Sequence, residues 1–153
     1  MPDAAMPAFR LKARLWKGLR TLLLPVLLAG ALTAALFVVV NGAPLWGVPS
    51  PRQVASVTVA HTGEAPQTYT DPEQIELAVK LLNTLNYLPF TPPSESSVGV
   101  GPDVTITYTL RDGRELSAGA NWITGWWNGE ARHLKQPDLF VNLTQGLFPP
   151  SYP

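Results

Sequence analysis

The sequence contains no cysteine. That absence excludes disulfides, thiol catalysis, cysteine-ligated zinc, iron–sulfur clusters and a lipidated N-terminal cysteine. It leaves the redox compartment open, because a chain without thiols is compatible with any. Histidine is nearly as scarce, with only His61 and His133. Charged residues make up 14% of the chain, against about 25% in ordinary soluble domains. There is no P-loop, no dinucleotide fingerprint and no carboxylate pair in the context of a glycosidase dyad. Internal repeats are also missing, and 16 prolines and 12 glycines are too few and too aperiodic for a collagen-like or low-complexity chain.

What is present is apolar and unevenly charged. Hydrophobic residues make up 46% of 153 positions, a length that allows one domain and little else. The net charge of zero hides an asymmetry. Up to residue 40 there are five basic residues and one acid, Asp3; from residue 41 onward there are six bases and ten acids. An acidic domain without a basic stripe is a poor nucleic-acid binder, so no nucleic-acid partner is expected.

Between Arg20 and Arg52 there is no charge at all. Residues 21–40 (TLLLPVLLAGALTAALFVVV) are almost purely apolar. As a helix they would span about 30 Å, the thickness of a bilayer core. No polar face is left for a soluble setting, and membrane helices tolerate a proline such as Pro25. The reading is a transmembrane helix over 21–40 in contact with membrane lipid. The preceding cations make residues 1–20 a basic cytoplasmic segment and place everything after Val40 outside the cytosol. Trp16 and Trp46 flank the span and read as interfacial residues, with packing on the domain as the alternative for Trp46. The flank VVVNGAPLWG lacks a clean small-x-small cleavage site, and the apolar run exceeds the usual 7–15 residues of a signal peptide (about that range). An uncleaved signal anchor is therefore expected. Residues 8–20 read as an orientation signal, with a basic amphipathic segment on the inner leaflet as the alternative.

Residues 41–52 (NGAPLWGVPSPR) read as a stiff Pro/Gly linker. An extracytoplasmic α+β domain is expected over 53–148, followed by a tail over 149–153. Its first strand is Gln53 to Ala60, with Ala55, Val57 and Val59 on one apolar face. Residues 61–70 read as loop or a short hairpin turn. A helix opens at Asp71-Pro72, where Asp71 caps, Pro72 suits the first helical position and Glu73 favours the dipole. Ile75, Ala78, Val79, Leu82 and Leu85 form its buried stripe, and Pro89 stops it near Asn86. Residues 89–102 read as a long exposed loop. A hairpin covers 103–120. A two-residue Asp112-Gly113 turn would mix its two faces, whereas a three-residue loop, Arg111-Asp112-Gly113, pairs Tyr108 with Leu116 and Ile106 with Ala118. Strands at 121–127 and 130–136 flank the Asn128-Gly129 turn. A short helix from Pro137 carries Leu139, Phe140, Leu143 and Leu147, closed by Gly146. The expected architecture is a single N-terminal transmembrane helix followed by a small antiparallel sheet of about five strands, one main helix and a short C-terminal helix, with the helices on one sheet face.

Chemistry is sparse. His61 with Glu64 offers two ligands three apart, short of the three or four a metal site needs, so no metal and no cofactor are expected. His133 lies in a strand without a motif. Asn142-Leu143-Thr144 fits a glycosylation sequon but falls in the last helix. The most informative feature is Trp122, Trp126 and Trp127, three of five tryptophans within six residues. On one strand Trp126 and Trp127 point to opposite faces, so at least one indole lies outside the core. They are the candidate contact for an envelope glycan, peptide or protein partner; the alternative is that two fill the core and one covers an edge.

The valine-rich strand, the helix opening TDPEQI and ending LLNTLN, and the hairpin VTITYTLRDGREL resemble small membrane-anchored extracytoplasmic domains of unknown function in Gram-positive bacteria. The likeness covers 53–148 and implies location more than role; such proteins commonly carry a lipidated cysteine, which this chain lacks. The expectation is a single-pass membrane protein with a non-catalytic external domain that binds, senses or interacts. The alternatives are an envelope hydrolase using His133 and a carboxylate, or an accessory subunit of a membrane complex contacting through Gly30 and Ala34.

Overall fold

The structure is a computed structural model that describes residues 7–149, with side chains from residue 21 onward. The basic segment expected over 1–20 lies outside the described residues for positions 1–6 and for its side chains, and of the 149–153 tail only Pro149 is described. The chain divides into two compact units, Met1–Val40 and Asn41–Pro153.

The first unit is helical. Helix α1 runs Pro7–Asn41 and carries Pro25 in its interior without ending. Thr21–Asn41 is long and apolar enough to cross a membrane, the one such stretch among the described residues, and none of its apolar window is buried. The Thr33 hydroxyl donates to the Ala29 carbonyl at 2.8 Å, so its polar atom is satisfied within the helix.

The second unit is α+β. Its strands are β1 (Val54–His61), β2 (Gln67–Tyr69), β3 (Val104–Leu110), β4 (Glu115–Ala120), β5 (Thr124–Trp127) and β6 (Glu130–His133). They form one antiparallel sheet in the order β2-β1-β3-β4-β5-β6. The helices are α2 (Pro72–Leu82), α3 (Glu95–Val100) and α4 (Pro137–Leu147). One sheet face packs on α2 and α4, and Val57, Val59, Ile106, Tyr108, Leu82, Phe140 and Val141 form its fully buried centre.

Local chemistry sets several boundaries. Asp71 caps α2, its carboxylate accepting from the Glu73 and Gln74 amides at 3.1 and 3.2 Å. The stripe Ile75, Ala78, Val79, Leu82 and Leu85 is buried. The helix stops at Leu82 rather than near Asn86, because Asn83 and Thr84 tighten onto the Lys80 and Leu81 carbonyls. The Thr84 hydroxyl also takes the Leu81 carbonyl, at 2.7 Å. The β3–β4 hairpin adopts the three-residue loop, with Tyr108 opposite Leu116 and Ile106 opposite Ala118. Gly113 supplies the left-handed residue, φ +86°, that this loop requires.

Several other expectations are corrected. Residues 41–52 are not a free linker: Ala43 and Tyr87 exchange backbone hydrogen bonds, Ala43 and Pro49 are buried, and Leu45 and Val48 pack on the core. In β1 the core residues are Val54, Val57 and Val59, because an irregularity between Val54 and Ser56 sets Ala55 out of the alternation. The region read as loop over 61–70 holds edge strand β2, giving six strands, and the loop over 89–102 holds α3. Helix α4 buries Phe140, Val141 and Thr144, and leaves Leu139, Leu143 and Leu147 partly exposed. Thr144 can be buried because its hydroxyl donates to the Phe140 carbonyl at 2.7 Å. Gly146 does not close this helix, which runs on to Leu147.

Candidate functional site

The three clustered tryptophans separate. Trp127 points into the core at 8% exposed, and its indole N–H donates to the Trp46 carbonyl at 2.9 Å. It is a packing residue, not a surface contact. Trp126 projects from the opposite sheet face and is half-buried. Trp122 lies in the β4–β5 turn and is 56% exposed. One indole therefore serves the core and two reach the surface.

The face carrying Trp126 lies opposite α2 and α4; α3 covers one end of it, the Ser97 hydroxyl donating to the Thr124 hydroxyl at 2.7 Å. Cross-strand pairing aligns Thr68, Thr58, Thr107 and Ser117 in a single row across four strands. The Thr58 and Thr68 hydroxyls are 2.9 Å apart. The adjacent row runs Ala60, Thr105, Gly119, Trp126 and Ala131. A side chain at Gly119 would meet Pro102, the Val104 carbonyl and the Thr105 hydroxyl at 3.0–3.3 Å, so glycine lets Pro102 pack against the strand beside the indole. The Asn128 side chain braces this region by accepting from the Ser117 amide at 2.9 Å. The result is a shallow surface of hydroxyls with one aromatic at its side. Such a surface can hydrogen-bond a polyhydroxylated ligand and stack on its apolar face.

The turn beside it is held by a buried polar network. The Asn121 side-chain oxygen accepts from the Ser97 hydroxyl and from the Ile123 and Thr124 amides, at 3.0, 3.0 and 2.8 Å. Its amide nitrogen donates to the Ser97 and Gly101 carbonyls at 3.0 and 2.9 Å. Every partner is satisfied, so α3 is pinned to the β4–β5 turn.

A second concavity of about 700 Å³ lies between the start of β1 and α2, lined by Arg52, Arg111, Pro72, Ile75 and Glu76. Arg111 Nε donates to the Arg52 carbonyl at 3.0 Å. The Lys80 ammonium, 2.7 Å away, holds the Glu76 carboxyl below its usual range. At the nearby hairpin tip the Arg114 guanidinium lowers Asp112 in the same way.

The histidines do not form a catalytic set. His61 ends β1, and its Nε2 lies 2.8 Å from the Phe148 carbonyl, fastening the end of α4 to the sheet. His133 ends β6, where its carbonyl accepts from the Leu88 amide. Among the described residues no hydrogen bond or ion pair joins the His133 ring to a hydroxyl or carboxylate, and no group of three or more His, Asp or Glu is placed to hold a metal.

The hydroxyl row was missed by sequence reasoning. Its members were visible as the polar alternates of the strands, but only the β1–β3 register aligns them. Comparison with protein-family models, curated proteins and solved structures finds no match for this chain.

Proposed function

We propose that this is a single-pass membrane protein anchored by Thr21–Asn41, with its C-terminal unit on the extracytoplasmic side, and that this unit binds an envelope glycan without catalysis. The observation that carries the binding reading is the Trp126 indole standing beside a four-strand row of hydroxyls on the sheet face opposite α2 and α4. Neutral hydroxyls and one aromatic suit a sugar polymer better than an acidic or basic peptide. The orientation is supported by the basic residues before the span and the acidic balance after it. The likeness to membrane-anchored extracytoplasmic domains of Gram-positive bacteria agrees with the same location.

The test uses the full chain in lipid nanodiscs on arrays of glycans and of peptides. Binding of glycans that falls at least tenfold in Trp126→Ala, while Trp122→Ala retains it, supports the reading. Equal binding by wild type and Trp126→Ala, or binding of peptides only, refutes it. Protease added to intact cells should remove the C-terminal unit; protection would refute the orientation.

A further inference from the structure

We propose that one end of the C-terminal unit, bearing Trp122, Ile123, Val98 and Val100, is a lipid-contacting surface that rests in the interfacial layer of the bilayer. The inference rests on the membrane-anchor reading above and adds which part of the external unit meets lipid.

The four residues belong to one end of the sheet. Trp122 and Ile123 occupy the β4–β5 turn, 56% and 42% exposed. Val98 and Val100 lie on α3, 37% and 79% exposed. Asn121 joins the two segments, since its side chain bonds the Ser97 and Gly101 carbonyls on either side of the valines. The turn is also hydrogen-bonded internally, the Asn121 amide to the Thr124 carbonyl. The apolar side chains are thus held outward by a rigid base and not by a loose loop. Exposed aromatic and aliphatic groups on a firm polar frame mark an interaction surface.

The chain enters this unit at the same end. Gly42 lies over the Asn86 and Lys135 side chains. Lys135 directly follows Leu134, whose amide donates to the Ile123 carbonyl at 3.0 Å. The apolar stretch ends at Asn41, one residue before Gly42. Lipid at the end of that stretch is therefore lipid near this end of the sheet, which is why a bilayer is the occupant argued here. Helix α4 adds to the same end. It begins two residues after Lys135, beside β6, and the Phe148 carbonyl that follows it meets His61 at the end of β1. Its 11 residues span about 16 Å, close to the width of four strand spacings, about 19 Å. Its partly exposed Leu139, Leu143 and Leu147 recur every four residues and form one stripe. Indoles with aliphatic neighbours partition into the headgroup layer. The opposite end of the sheet carries the charged Arg111-Asp112-Gly113-Arg114 tip, exposed throughout.

The absence of native cysteine makes the test clean. Single-cysteine variants Ile123→Cys, Val100→Cys and Asp112→Cys of the full chain are labelled with an environment-sensitive fluorophore. They are reconstituted in phosphatidylcholine–phosphatidylglycerol vesicles containing a lipid-attached quencher. Labels at 123 and 100 should be quenched by the lipid probe at least threefold more than the label at 112, and shielded from aqueous iodide. Labels at 123 and 100 that match 112 in both measurements overturn the proposal. Shielding from iodide without lipid quenching also overturns it, because a second protein then covers the patch. Carbonate extraction of the same vesicles separates the two failures. A chain that stays in the membrane while its 123 label reads water refutes this inference alone; a chain that is stripped off refutes the anchor as well.

Discussion

Replacing Tyr108 by Phe probes how α2 is fastened to the sheet. Tyr108 is fully buried on β3, and its hydroxyl donates to the Ala78 carbonyl of α2 at 2.7 Å. That carbonyl sits within the helix, so the ladder bond to the residue four positions on already uses one of its lone pairs. Phe leaves no orphaned acceptor, and the loss is one net hydrogen bond, about 1 kcal/mol at pH 7. Burial also pushes the phenol pKa well above its ordinary value, which is about 10. Above that ordinary value the unfolded chain releases a proton that the folded chain keeps. The tyrosine's contribution therefore falls as pH rises, by about 1.4 kcal/mol per unit. Wild type should be the more stable at pH 7, and the two proteins should become equal near pH 11 (about one unit above the ordinary tyrosine value). Urea unfolding of the full chain in mild detergent, followed by the fluorescence of buried Trp127, measures both. Stability curves that stay parallel from pH 7 to 11.5 would refute the buried phenol, as would a loss at pH 7 beyond about 3 kcal/mol, the upper range for a stranded buried group.

Two further perturbations report on other joints. Gly125→Ala places a methyl 2.6 Å from Leu134 Cδ2 and 2.9 Å from its Cγ, and Leu134 is itself buried. A loss of about 1–3 kcal/mol is expected from overpacking, partly recovered in the double variant with Leu134→Val; unchanged stability would refute this close approach. Asn121→Ala deprives the buried Thr124 amide of its acceptor, at a cost of about 1–3 kcal/mol, while the Ser97 hydroxyl keeps the Thr124 hydroxyl at 2.7 Å. Limited proteolysis between residues 94 and 101 should accelerate at least tenfold, and an unchanged cleavage rate would show that α3 is held by something else.

Short-range rules carried much of the fold. The register of β3 and β4 followed from requiring each face to be consistent, because a slip of one residue exchanges every side chain between core and solvent. The cap at Asp71 and the opposite facing of Trp126 and Trp127 are equally local. What escaped depends on partners distant in sequence. The docking of residues 41–52 requires Tyr87 and Trp127. Helix α3 is too short to persist on its own, and it exists where Asn121, more than twenty positions on, holds Ser97. Of the four apolar residues read in α4, Leu139, Phe140, Leu143 and Leu147, the core took Phe140, together with Val141 and Thr144. The burial of Thr144 is legible only once its hydroxyl is seen to be satisfied within the helix.

The same distinction decides how much weight the outer face can bear. Threonine is favoured in strands for reasons of backbone and packing alone, so Thr58, Thr105, Thr107 and Thr109 would stand on this face even if it bound nothing. The cross-strand contact between Thr58 and Thr68 is likewise an ordinary sheet pair. Strand propensity does not ask for a half-exposed indole opposite a glycine. At Gly119, which pairs with Trp126, a glycine weakens the strand, but the close packing of its neighbours asks for it. Pro102 and the Thr105 hydroxyl occupy the space where a side chain would go. The half-exposed Trp126 indole, and not the hydroxyl row or the close-packed glycine, is the part of the surface that folding leaves unexplained, and a ligand stacked on it would account for it.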